Sequence, residues 1–213
     1  MPNSYASTSE ASLSWKGELY RKGIHLTSLI IPAGFIILNT RAVLTCLMGS
    51  LLFFAIFDIL RFFGTDSIKR FMGLNFGFLL RPREKKSFSG ATTIILAGLL
   101  VYTFYDVRVA AASMVIIVIG DAFAALIGRS FGRIRVFSKT IEGTLAFIIS
   151  TAIAVQFIPG LGSRIAFIGV LVGAVVELLP LPIDDNITVP MVAGGFMQLI
   201  LANQIMLEKI VQP

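Results

Sequence analysis

The chain alternates long apolar runs with short polar interruptions, and its apolar residues fall in blocks rather than in the stripe of a surface helix. A hydrophobic stretch of roughly 18 or more residues can cross a bilayer. On that basis the pattern predicts seven helical spans, at residues 24–38, 42–60, 91–105, 109–127, 144–158, 165–179 and 189–205. Several are short for a hydrocarbon core about 30 Å thick. The first is expected to continue backward through residues 15–23, with Arg21 and Lys22 reaching to the interface along their alkyl stems. Residues 62–80 are interrupted by Asp66, Lys69, Arg70 and Asn75, so they are read as a helix lying in the interface, followed by a basic turn at 81–86. The expected fold is all-α: a polytopic transmembrane helical bundle of about seven spans plus one interfacial amphipathic helix. A polar N-terminal segment at 1–19 precedes a single domain at 20–207.

Composition agrees with that pattern. Hydrophobic residues make up 56% of the chain and charged residues 14%, where a soluble domain carries about a quarter charged. The first twenty-odd residues are polar and hold no short apolar core, so no cleavable signal peptide is expected. Cys46 is the only cysteine and His25 the only histidine, which excludes disulfides within the chain, cysteine-based zinc sites and paired-histidine metal ligation. The net charge of +6 does not point to nucleic acid, because the basic residues sit between apolar runs. Counted by side, 14 Lys and Arg fall on the face of the N-terminus and 4 on the other. The positive-inside rule then places the N-terminus in the cytosol and the C-terminus across the membrane.

The polar residues that orientation does not explain share that same face. Arg21, Lys22 and His25 stand three and four apart on a helix, close enough to converge on a phosphate or to serve as a basic anchor. Asp58 and Arg61 are three apart near the end of the second span, which reads as a structural ion pair. Asp121 lies within an apolar span with no local counter-ion, and an ionisable group in that setting marks function by default. Gly120, Ala124 and Gly128 recur around it at the four-residue spacing that lets helices pack closely. Beyond Asp121 come Gly128, Arg129, Gly132, Arg133, Ser138, Lys139, Thr140, Glu142, Gly143 and Thr144. Free N–H groups at a helix start, with cations and hydroxyls nearby, suit an anion such as phosphate. Glu177 precedes Asp184, Asp185 and Asn186, hard oxygen ligands of the kind Mg²⁺ takes when phosphates complete its shell.

These elements, in order, resemble the CTP-dependent lipid kinases: dolichol kinase, phytol kinase and the fungal-type diacylglycerol kinase. The likeness is carried by Arg21-Lys22 with His25, by Gly120-Asp121 through Gly128 and Gly132, by Lys139-Thr140 with Glu142-Gly143-Thr144, and by Asp184-Asp185-Asn186 with Pro190. It spans about residues 20–200. It implies that Arg21, Lys22, Asp121 and Gly128 are needed for activity, that the segment from Lys139 to Thr144 belongs to a nucleotide site, and that CTP is the phosphoryl donor. On that reading Arg21, Lys22, Arg129, Arg133 and Lys139 hold the phosphates, with Gly128, Gly132, Ser138, Thr140, Gly143, Thr144 and Asn186 also in the nucleotide site. Glu142, Asp184 and Asp185 supply a Mg²⁺ site. Asp121 orients the hydroxyl of a lipid alcohol or binds a second metal, and His25, Asp58, Arg61 and Glu177 support the site. CTP, a lipid alcohol and membrane lipids are the expected partners, nucleic acid is not, and the oligomeric state stays open.

The stretches Gly128–Arg133 and Ser138–Gly143 also resemble part of phosphatidate cytidylyltransferase. That family ends with a Lys-Asp pair and a His-Gly-Gly-x-x-Asp-Arg signature, where this chain has Asp184-Asp185-Asn186 and no second histidine. Cytidylyl transfer is therefore the second reading. A transporter ranks below both, because Asp58, Asp121 and Glu177 all fall late in spans that exit to one side rather than near the midplane.

Overall fold

A computed structural model of the chain describes residues 15–76 and 87–211. The predicted basic turn at 81–86 lies outside the described residues. Apart from a two-residue β-hairpin and one 3-10 turn, the regular structure is helical. The helices are α1 (Trp15–Thr27), α2 (Ile30–Ile37), α3 (Thr40–Phe63), α4 (Asp66–Phe76), α5 (Gly90–Phe104), α6 (Val107–Phe131), α7 (Ile141–Ala154), α8 (Ser163–Leu178) and α9 (Asp185–Val211). The hairpin, β1 (Arg135–Val136) and β2 (Lys139–Thr140), is antiparallel and sits between α6 and α7.

Among the described residues, three helices are long and apolar enough to cross a membrane: α3, α6 and α9 as far as Leu207. Helix α5 and the run Ile141–Phe157 are apolar but shorter. The first predicted span is two helices. Backbone bonds from Ser28 to His25, from Leu29 to Leu26 and from Ile31 to Ser28 tighten the chain between α1 and α2. Pro32 follows at once and has no N–H to continue an α-helical ladder.

The other helices start and stop where side chains permit. Asn39 caps α3 by accepting from the Ala42 N–H at 3.0 Å, and Thr140 caps α7 by accepting from the Gly143 N–H at 3.1 Å. Helix α3 stops at Gly64 and α6 at Gly132.

Helix α6 is the axis of the bundle, packing against α1, α2, α5, α7, α8 and α9. In its apolar window 67% of residues are buried, against 17% in that of α3. Small residues make that possible. Gly120 sits under the Phe147 ring, and a Cβ on Gly143 would come within 2.8 Å of the Ala124 carbonyl oxygen. The α6 and α7 backbones therefore touch along Gly120, Ala124, Gly128 and Gly143.

Candidate functional site

The polar side chains gather where α1, the end of α6, the hairpin, the end of α8 and the start of α9 meet. Lys22 is only 1% exposed, and its ammonium donates to the Asp121 carboxylate Oδ2 and, at 2.8 Å, to the Asp121 carbonyl oxygen. His25 Nε2 stands 3.5 Å from the same Oδ2. The counter-ion that Asp121 lacks in its own neighbourhood of sequence is thus supplied across helices by α1.

One turn back on α1, the buried carboxylate of Glu18 accepts from Arg21 and lies 3.9 Å from the guanidinium of Arg129. Glu18 falls in the segment read as a polar N-terminal stretch, where the first span was expected to continue backward, and it ties α1 to the end of α6. The available signal was its spacing, three residues before Arg21 and four before Lys22.

A second cluster centres on Lys139, which donates to Glu177 Oε1 at 2.5 Å and to Asp185 Oδ2 at 3.0 Å. Burial acts to lower the Lys139 pKa, but the two carboxylates outweigh it and hold the ammonium above the ordinary lysine value. The hairpin that carries Lys139 follows directly on α6, the helix that carries Asp121.

The remaining expected residues are placed differently. Glu142 turns its carboxylate to the backbone N–H groups of Arg133, at 2.9 Å, and Ile134, at 3.3 Å. Asp184 Oδ1 accepts the Asn186 N–H at 2.9 Å and so starts α9. The Asn186 amide crosses to Thr93 Oγ1 at 3.1 Å. Of the carboxylates expected to bind metal, Glu142, Asp184 and Asp185 at one site and Asp121 at a second or as the acid at the hydroxyl, each has a different polar partner. Among the described residues no three Asp, Glu, His or Cys side chains come together as a metal site.

The backbone donors expected for phosphate at the start of α7 are also engaged. Gly143 N–H serves the Thr140 cap, and Ile141 N–H meets the Ile134 carbonyl at 3.0 Å. Thr144 Oγ donates to the Thr140 carbonyl. Gly128, Gly132 and Gly143 are placed by packing on Thr140 and on one another. Arg133 and Ser138 are exposed on the hairpin side.

Asp58 is fully buried, and its Oδ2 accepts from Ser89 N–H at 2.9 Å, Ser89 Oγ at 3.0 Å and Thr92 Oγ1 at 2.6 Å. Arg61 stands 2.9 Å from Oδ1 and donates to the Ser87 carbonyl at 2.6 Å. This pair locks the end of α3 to the start of α5.

Beside the Lys22–Asp121 pair opens an apolar groove of about 1190 Å³ between α1, α2, α3, α4 and α5. Phe53, Phe54, Phe57 and Phe71 are among the residues that line its body. Among its polar residues, Arg21 and His25 belong to the charged cluster on α1, and Asn186 to the start of α9. Asp121 is not part of its wall.

No protein-family model matches the chain, and no solved structure does. The chain is 24% identical over 182 residues to an uncharacterized protein of Methanocaldococcus jannaschii, an alignment covering 83% of this chain and 91% of that one. It is 25% identical over 186 residues to an uncharacterized protein of Rickettsia prowazekii, covering 82% and 90%.

Proposed function

We propose that the chain is a membrane-embedded kinase that transfers the γ-phosphate of CTP to the primary hydroxyl of a lipid alcohol. The observation that carries this reading is the groove: a large apolar volume with Arg21 and His25 in its wall, next to the Lys22–Asp121 pair. A lipid alcohol has the same division, one hydroxyl on an apolar body, and concave apolar sites with a few convergent polar groups are where such ligands bind. Phosphoryl transfer is largely positioning plus charge stabilisation. The cations around the polar end suit a triphosphate, which would compete with Glu18 for Arg21 and Arg129, and with Glu177 and Asp185 for Lys139. The choice of CTP over ATP rests on the family resemblance alone. Seven crossings, with the N-terminus and the charged clusters cytosolic, complete the proposal.

The test is turnover by the purified protein with Mg²⁺ and γ-labelled CTP or ATP, offered geranylgeraniol, phytol, a long polyprenol and dioleoylglycerol. Label appearing in a lipid phosphate supports the kinase. Label leaving as pyrophosphate from CTP, with a CDP-lipid formed from added phosphatidate, replaces it with the cytidylyltransferase. Absence of both reactions rejects the enzymatic reading.

A further inference from the structure

We infer that His25, rather than Asp121, accepts the proton of the lipid hydroxyl, with Asp121 holding the imidazole in place. This deepens the lipid-kinase reading and rests on it. Three observations carry it. His25 is part of the groove wall and Asp121 is not. The Asp121 carboxylate is already bonded to the Lys22 ammonium, across α1 and α6. His25 Nε2 lies 3.5 Å from Asp121 Oδ2, a separation that needs only a small closure to become a hydrogen bond.

With Nε2–H directed at the carboxylate, Nδ1 is the nitrogen that accepts. A carboxylate behind an imidazole, fixing its tautomer and steadying the cation it becomes, is a recurring solution for activating a hydroxyl. The charged groups facing this imidazole are Arg21 and Lys22 on its own helix and Asp121 on α6. Asn186 from α9 and Ser89 before α5 also line the groove.

The step balances with a nucleoside triphosphate as co-reactant. The lipid oxygen forms a bond to the γ-phosphorus, the bond from that phosphorus to the β,γ-bridging oxygen breaks, and the nucleoside diphosphate leaves with the electron pair. The hydroxyl proton passes to Nδ1 and from there to water.

Because His25 is the only histidine, the chemistry of this one ring can be read without interference. The experiment uses full-length protein purified without a histidine tag, MgCTP, and the alcohol from the panel that turns over best. His25→Gln and His25→Ala are expected to lose about 10²–10⁴-fold in kcat, the usual worth of a general base, with KM for CTP little changed. Added imidazole is expected to restore part of the His25→Ala rate. In the wild type, diethyl pyrocarbonate is expected to inactivate, the bound alcohol to protect and hydroxylamine to reverse the loss, which needs no variant to fold. Variants with near-normal kcat, or full activity after carbethoxylation of His25, would overturn the base assignment and leave the kinase standing. A wild type that labels no alcohol overturns the kinase reading and the base with it.

Discussion

Lys22 is a cation almost wholly removed from solvent, and its partner sits on a helix at the far side of the sequence. Removing one member of a buried ion pair leaves the other unpaired, at a cost of about 3–5 kcal/mol, whereas removing both can be close to neutral. Asp121→Asn is therefore expected to lower the thermal unfolding midpoint in detergent, and adding Lys22→Met is expected to recover most of the loss. Both proteins are expected to lack phosphoryl transfer. Additive losses in the double variant would show that the two side chains do not act as a pair. The need for a partner to Asp121 was legible in the sequence, because a lone carboxylate in an apolar span is costly wherever it falls. The identity of that partner was not legible, since it depends on how α1 and α6 are rotated about their axes. When every face of a helix is apolar, periodicity does not fix that rotation. The same reason hid Glu18, whose carboxylate meets Arg129 across α1 and α6.

At the scale of elements, the closest contact is between α6 and α7, where glycines stand in place of side chains. Gly143→Ala puts a methyl group 2.8 Å from the Ala124 carbonyl and 3.3 Å from Gly128 Cα. Overpacking of this kind typically costs about 1–3 kcal/mol, and here it would also displace the hairpin that carries Lys139. Gly49, in the middle of α3, has no atom within 4 Å of an added Cβ. There Gly49→Ala is expected to stabilise by about 0.5–1 kcal/mol through helix propensity. Unfolding midpoints of the two variants, moving in opposite directions, check the contrast. The sequence showed the long helices well because hydropathy is local: residues 42–60 became Thr40–Phe63 and residues 109–127 became Val107–Phe131. It hid the division of the first span into α1 and α2, which turns on backbone bonding around Ser28, Leu29 and Pro32 rather than on polarity.

The whole molecule has its charged clusters at one end and few ionisable groups at the other, which the proposed topology turns toward the cytosol. In a Cys46→Ser background, Ser130→Cys, in the last turn of α6, and Gly162→Cys, just before α8, introduce thiols at exposed positions. A membrane-impermeant maleimide is expected to label Gly162→Cys in intact cells and Ser130→Cys only after permeabilisation. The reverse pattern would put the clusters outside and remove cytosolic CTP as the donor. The bond between Lys22 and Asp121 also sets a timetable for the nascent chain. Its ends are 99 residues apart, so at about 5–20 residues per second Lys22 leaves the ribosome roughly 5–20 s before Asp121. Through that interval the ammonium must stay in headgroups or water, and α1 can settle only after α6 has been inserted. Helix α1, made before α6, thus docks only after it, and a chain arrested before α6 would leave α1 lying on the membrane surface.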